Sequence, residues 1–352
     1  MIMEKTVVLA ITKNGVKIGE DLKKIFPNWS IFAPSKLSNQ NNEIVWYSEP
    51  TSDKIIELFK NNNALICLFS LGAVIRLIAP YLEDKKTDPA VIVIDDKMNF
   101  VISVLSGHIG GANELTKEIA EKLGALPVIT TAADVNKTIA VDLVGSEFNW
   151  KIDDDSTVTK ISAHMVNEEL IGVFQDAGEK NWYKKLPKNV SIYENIEDLK
   201  KSDSKACLII SDRIIDDEIS KESVIYRPPS LVIGIGLHWD TTKETIREGI
   251  MKTLEKFKLS SKSIAKLVSI KKPQDVQGLI DLGKEMGILV EYVDREDLDE
   301  ISAPNPSETV KAFEGTASVS EAAAIKVSGG KLIVEKQKFP PNLTIAIARI
   351  RD

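Results

Sequence analysis

The chain has 352 residues, 43% of them hydrophobic, with two cysteines and a formal charge of -7 from 45 basic and 52 acidic side chains. That length is large for a single core and predicts two or three domains. The acidic balance excludes a general nucleic-acid binder, whose affinity comes from neutralising phosphates. No apolar run approaches the roughly 20 residues needed to span a bilayer, and no leader is visible around the short run Thr6 to Ile11, so a soluble cytoplasmic protein is expected. Cys67 and Cys207 sit in apolar runs and read as small buried hydrophobes.

In chain order, the first segment alternates strand and helix signals. Val7 to Ile11, Glu43 to Tyr47, Ala64 to Phe69 and Ala90 to Ile94 read as strands, and apolar spacing predicts helices over Val16 to Phe26, Asp53 to Phe59 and Leu71 to Leu82. The rhythm continues through Phe100 to Asp134. There a β-branched run ends at Leu105, a loop holds Gly107, His108, Gly110 and Gly111, helical spacing runs from Ala112 to Leu123, and a buried-looking strand spans Pro127 to Thr130. This predicts an α/β domain over residues 1–142, a largely parallel sheet with helices on both faces. Residues 143–229 are less periodic. Ser156 reads as a helix cap, Ala206 to Ile210 as a strand, and the polar stretch Asp176 to Ser204 as part of a small, loosely packed middle domain. The acidic clusters Asp153 to Asp155 and Asp216 to Glu218 read as solvated surface.

Tyr226-Arg227-Pro228-Pro229-Ser230 reads as a linker into a C-terminal α/β domain, residues 230–352. Its predicted strands are Leu231 to Ile235, Ile264 to Ile270, Ile288 to Val293, Lys331 to Lys336 and Leu343 to Ile350. Thr241 and Glu244 form a capping box for a helix carrying Ile246, Ile250 and Leu254, and a second helix runs from Gln274 to Met286 with Gly287 past its end. Ser307 to Phe313 and Glu321 to Val327 read as short helices.

Chemistry concentrates in the loop after Leu105. Its glycines let backbone N–H groups face a ligand, and the start of the following helix adds donors with a partial positive charge, a seat for an anion. His108 is the side chain in that loop able to shuttle a proton near neutral pH. Arg76 reads equally as an ion-paired helix residue or a carboxylate clamp, Glu114 as an acid favoured in a first helical turn, and Asp95 and Asp134 as turn or helix caps. Gly234-Ile235-Gly236 is not a dinucleotide fingerprint, because Trp239 stands where its third glycine belongs. It reads as a tight turn near some other ligand, with His238 just beyond. The three histidines lie in separate segments, which argues against a protein metal site.

Several blocks resemble the cobalt-precorrin-5A hydrolase family of anaerobic cobalamin biosynthesis. They are Ser70 to Pro80 (SLGAVIRLIAP), Lys86 to Val91, Leu105 to Asn113 (LSGHIGGAN), Val128 to Asp134, Gly234 to Gly236, Gly315 to Ala324 (GTASVSEAAA) and Thr344 to Ala348. Leu237, His238 and Asp240 depart from the family's usual residues, with Thr241 retained. The resemblance implies opening of the substrate's δ-lactone and release of the extruded carbon as acetaldehyde, giving cobalt-precorrin-5B. It implies His108 as general base, with Glu114 or Asp134 orienting it or acting as acid. The implied substrate contacts are Gly72, Arg76, Ser106, Gly107, Gly110, Gly111, Asn113, Thr130 and Thr131, then Gly234, Gly236, His238, Thr241 and Glu321. No cofactor is implied, cobalt being carried by the tetrapyrrole substrate. A homodimer and hand-over of intermediates to other enzymes of cobalamin biosynthesis stay open. The competing class is a non-catalytic corrinoid carrier, which would leave the lactone intact.

Overall fold

The computed structural model describes residues 5–84, 87–136, 138–308 and 316–351. The chain forms two compact units, Met1–Leu143 and Val144–Asp352. In the first, β1 (Thr6–Ala10), β4 (Ala64–Leu68) and β5 (Ala90–Ile94) are buried at every position, as strands covered on both faces must be. With β2 (Ser30–Pro34), β3 (Ile44–Tyr47), β6 (Phe100–Leu105) and β7 (Leu126–Val128) they form a sheet in the order β3-β2-β1-β4-β5-β6-β7. Helices α1 (Lys13–Ile25) and α4 (Ala112–Leu123) cover one face through Val16, Leu22, Leu115 and Ile119. On the other face lie α2 (Thr51–Asn61) and α3 (Leu71–Ile78), through Ile55, Leu58, Val74 and Ile78. The expected largely parallel α/β sheet therefore forms. Strand β2 was not foreseen, since exposed Ser30 and terminal Pro34 leave only three residues of apolar signal.

Strand β6 is the exception to parallel pairing: Leu105 lies opposite Val91, and Val101 opposite Ile94. The Asp95 carboxylate caps the turn between them, accepting from the N–H groups of Lys97 at 3.2 Å and Phe100 at 2.6 Å. A parallel return would need about a dozen residues. Strand β7 runs parallel to β6 and forms the sheet edge. It is not the buried strand expected over Pro127 to Thr130, because Leu126 is 59% exposed.

The second unit holds two sheets. Its first has the order β10-β9-β11-β12-β8, from β8 (Lys151–Ile152), β9 (Ile171–Gln175), β10 (Val190–Tyr193), β11 (Ala206–Ile210) and β12 (Ser223–Arg227). Helices α6 (Val158–Val166), α7 (Ile196–Lys200) and α8 (Asp217–Ser220) follow α5 (Ala132–Val135) of the first unit. This region is packed more fully than its polar sequence predicts: β11 and β12 are buried throughout. Ser156 is not the cap; its N–H donates to the Asp154 carboxylate at 2.9 Å. Nor are Tyr226 and Arg227 linker residues. They end β12, and the buried Arg227 guanidinium donates to Asp153 at 2.7 Å and to the Ser211 carbonyl at 3.0 Å. Asp153 thus neutralises a buried cation instead of decorating the surface.

The other sheet has the order β15-β14-β13-β17-β16, from β13 (Leu231–Leu237), β14 (Ile264–Ile270), β15 (Leu289–Val293), β16 (Leu332–Phe339) and β17 (Leu343–Arg349). Helices α9 (Lys243–Lys256) and α10 (Gln277–Met286) cover one face, and α11 (Arg295–Asp299) and α12 (Ser320–Ser328) pack on the other. The capping box expected at Thr241 does not form. Thr242 is the N-cap, accepting from the Thr245 N–H at 3.3 Å. Most of the helix expected over Ser307 to Phe313 lies outside the described residues. The unit's two sheets are joined at fully buried Asp212, whose carboxylate meets Arg349 at 2.6 Å and accepts from the Ser230 hydroxyl at 2.9 Å.

At Gly234 a Cβ would lie 1.9 Å from the Ser320 carbonyl oxygen, so β13 and α12 meet at backbone contact. Gly234→Ala must push the helix off the sheet, an overpacking cost of about 1–3 kcal/mol. The urea midpoint should fall accordingly; a midpoint equal to wild type would show that α12 yields freely.

Candidate active site

Strand β6 ends at Leu105, and the chain reverses within six residues to open α4. Ser106 (φ 55°) and Gly111 (φ 75°) supply the left-handed positions that this needs. The closed loop places the Ala112 N–H 3.1 Å from the Ser106 carbonyl, the Asn113 N–H 3.0 Å from that of Gly107, and the Gly111 N–H 2.9 Å from that of His108. These amides at the start of α4, expected to seat an anion, are taken by the loop itself. Among the described residues no backbone carbonyl partners the N–H groups of Gly107 to Gly110. Gly110 serves closure: a Cβ there would fall 2.3 Å from the Ser106 Cβ.

Two expected substrate contacts also hold the loop in place. The Ser106 hydroxyl donates to the Asp88 carbonyl at 2.8 Å, tying the loop to the start of β5. Asn113 is 2% exposed, accepts from Ser103 at 2.7 Å, and donates to Thr131 Oγ1 at 3.0 Å and Asp134 Oδ2 at 2.8 Å. Thr131 is thereby engaged as well, whereas Thr130 is exposed just beyond β7.

His108 stands between two carboxylates. Its Nε2 is 3.1 Å from Asp134 Oδ2 and its Nδ1 3.3 Å from Asp142 Oδ1. Lys117 Nζ reaches Asp134 Oδ1 at 3.0 Å and Glu114 Oε1 at 2.7 Å. His108, Asp134 and Glu114 line a cavity of about 380 Å³ with Gly107, Thr138, Ala140 and Leu143. The His108 side chain is 18% exposed, sheltered but within reach of solvent. The hydrogen bond to Asp142 raises the imidazole pKa above its ordinary value; burial opposes this, and the charges of Asp142 and Asp134 add to it. Burial works against the Asp134 charge, but Lys117, Asn113 and His108 outweigh it and hold that carboxyl below its usual range. The two carboxylates therefore favour the protonated ring more than water does. Asp134 contacts the ring. Glu114 does not: its side chain is 79% exposed and paired with Lys117.

Asp142 and Lys117 were missed by sequence reasoning. Lys117 was findable, one helical turn from Asn113 and Glu114 on the same face. Asp142 sits in a short 3-10 turn, Val141–Leu143, whose local pattern signals nothing.

Strands β6 and β7 end at one edge as expected, but at the edge where β4 and β5 begin. Gly72 opens α3 past the far end of β4, and Arg76 is exposed along that helix. The strand order reverses between β1 and β4, so the crevice typical of open α/β sheets also belongs to the far edge. Gly72 and the glycine loop are on opposite edges.

The C-terminal residues divide similarly. Gly236 and His238 line a cavity of about 540 Å³, while Gly234 is a packing position. Thr241 accepts from the His238 N–H at 3.1 Å and shapes that turn, and His238 Nδ1 is 2.7 Å from Asp240. Glu321 is fully buried. Its carboxylate accepts from the Asn305 N–H and side-chain amide, at 3.0 and 2.8 Å, and from the Lys336 N–H at 2.9 Å.

The site is a histidine held between two carboxylates on a glycine-rich loop of an α/β chain. The chain matches the family models described as Cobalamin synthesis G N-terminal (residues 53–134), Cobalamin biosynthesis central region (139–228) and Cobalamin synthesis G C-terminus (231–348). It is 42% identical to the cobalt-precorrin-5A hydrolase of Priestia megaterium, covering 97% of this chain and 94% of that one. Identity to the cobalt-precorrin-5A hydrolase of Salmonella typhimurium is 29%, over 94% of each chain. The crystal structure of a cobalamin biosynthesis protein G homolog from Sulfolobus solfataricus aligns at 25% identity with a TM-score of 0.39, covering 99% of this chain and 98% of that one. The chain belongs to the cobalt-precorrin-5A hydrolase family. Among the described residues no helix is long and apolar enough to cross a membrane.

A raised His108 pKa has a definite sign. The imidazolium's ion pairs stabilise the fold fully below the ordinary value of 6.5 and are lost as pH rises through the higher folded value. NMR titration should place the His108 midpoint above 6.5, and Asp142→Asn should lower it. A midpoint at or below the ordinary value in the wild type would contradict the clasped geometry.

Proposed function

We propose that this chain opens the δ-lactone of cobalt-precorrin-5A and expels the extruded carbon as acetaldehyde, leaving cobalt-precorrin-5B, in the cytoplasm and without a resident cofactor. The observation that carries the reading is the clasped histidine beside loop amides. Lactone hydrolysis needs a proton for the departing ring oxygen and donors for the oxyanion formed when water attacks the carbonyl. His108, whose protonated form Asp134 and Asp142 favour, supplies the proton, and the N–H groups of Gly107 to Gly110 are the candidate oxyanion donors. Water's own proton leaves to a flanking carboxylate or to solvent.

The second step reverses the first transfer. The hydroxyl just formed must lose its proton as the carbon–carbon bond breaks, and His108, now neutral, takes it back. The bonding pair passes into the conjugated macrocycle, which then acquires a proton, and the freed fragment leaves as acetaldehyde. One residue thus acts as acid and then as base at the same oxygen.

His108→Ala should reduce acetaldehyde release by at least about 100-fold, the scale of one general acid-base group. In the wild type, activity should decline as pH rises through the folded His108 pKa, and Asp142→Asn should move that limb to lower pH. Wild-type acetaldehyde release from His108→Ala would remove the assignment; binding of cobalt-precorrin-5A with no release by any form would favour a carrier.

A further inference from the structure

We propose that the cavity at the C-terminal sheet is a binding site for a tetrapyrrole bearing carboxylate arms, engaged independently of His108. The proposal rests on the functional reading for the identity of the ring, and on the cavity's own chemistry for the site. The volume of about 540 Å³ suits a small-molecule site. Lys336, Lys338 and His238 line it together with the apolar surfaces of Ile270, Phe339 and Pro341, and among the described residues no carboxylate lines it. In a chain of charge -7 that is an unusual local balance.

The cations are set in place. Buried Glu321 holds the Lys336 backbone N–H, and Asn305, bound to the same carboxylate, accepts from the Lys336 ammonium. Among the described residues no carboxylate lies within ion-pair distance of Lys336 or Lys338. Burial lowers the Lys336 pKa; Glu321 offsets part of this, and Lys338 adds repulsion. Two neighbouring ammonium groups with no carboxylate partner among the described residues, next to an aromatic ring and prolines, fit a ligand with a flat apolar body and an anionic fringe. The His108 cavity has the opposite character, with Glu114 and Asp134 in its lining, and offers such a fringe little attraction.

The test uses the full-length protein and uroporphyrin, a tetrapyrrole carrying acetate and propionate arms, followed by absorbance titration at low and high salt. Lys338→Glu, at an exposed position, should weaken binding at least tenfold and flatten its salt dependence, and Lys336→Gln should weaken it with the fold intact by circular dichroism. His108→Ala should bind as the wild type does. Failure of the wild type to bind, equal binding by wild type and both lysine variants, loss of binding in His108→Ala, or equal competition by inorganic phosphate would each overturn the proposal. Binding through Lys338 by a protein that releases no acetaldehyde would uphold this site and sink the catalytic reading. Acetaldehyde release by a protein whose porphyrin binding ignores both lysines would do the reverse.

Discussion

The five residues between β5 and β6 can only turn the chain back, and this reversal determines where the chemistry lies. Because β6 runs against β5, its C-terminal end reaches the edge where the parallel strands start. The glycine-rich loop, the end of β7 and the turn carrying Asp142 therefore gather there, away from the switch-point crevice. The Asp95 cap fixes the reversal, and Ser106 fastens the loop to β5. Asn113 then carries position from the sheet to the reacting group: it is buried under the loop, and two of its bonds go to Thr131 and Asp134. His108 is placed by backbone geometry on one side and by that amide on the other.

Electrostatically the molecule separates two kinds of work. Around His108 the carboxylates outnumber the cations that meet them, which favours the charged form of the imidazole and limits attraction for an anionic ligand. In the C-terminal cavity the balance is reversed, and the buried Glu321 underneath supports the cationic rim without lying in it. Neither cysteine joins this chemistry. Burial pushes the Cys207 thiol up to about 11 and the Cys67 thiol higher still, so both stay protonated and inert.

Much of the fold was legible because its signals are local. The central strands are unbroken apolar runs, α4 follows its predicted bounds, and the LSGHIGGAN block marks the strand-loop-helix unit and its histidine. The middle region was less legible. Its strands β9 and β10 are short, separated by polar sequence, and complete their cores only with α6 and α7, so no single window shows them. The prolines after Arg227 gave a true break, but the arginine before them is buried because Asp153, distant in sequence, supplies its counter-charge.

By itself the sequence determined that this is an α/β chain of the cobalt-precorrin-5A hydrolase family and that His108 lies in a glycine loop at the end of a strand, since periodicity, turn chemistry and contiguous motifs are properties of neighbouring residues. Tertiary structure alone decided which groups share a site. It brought Asp142 and Lys117 to the cluster, put Gly72 at the other edge of the sheet, set Gly234 against α12 and gave Glu321 its hydrogen bonds to Asn305 and Lys336. The physical reason is that strand direction and burial arise from contacts between segments far apart in the chain, and the charge on His108 follows from the carboxylates those contacts bring to it.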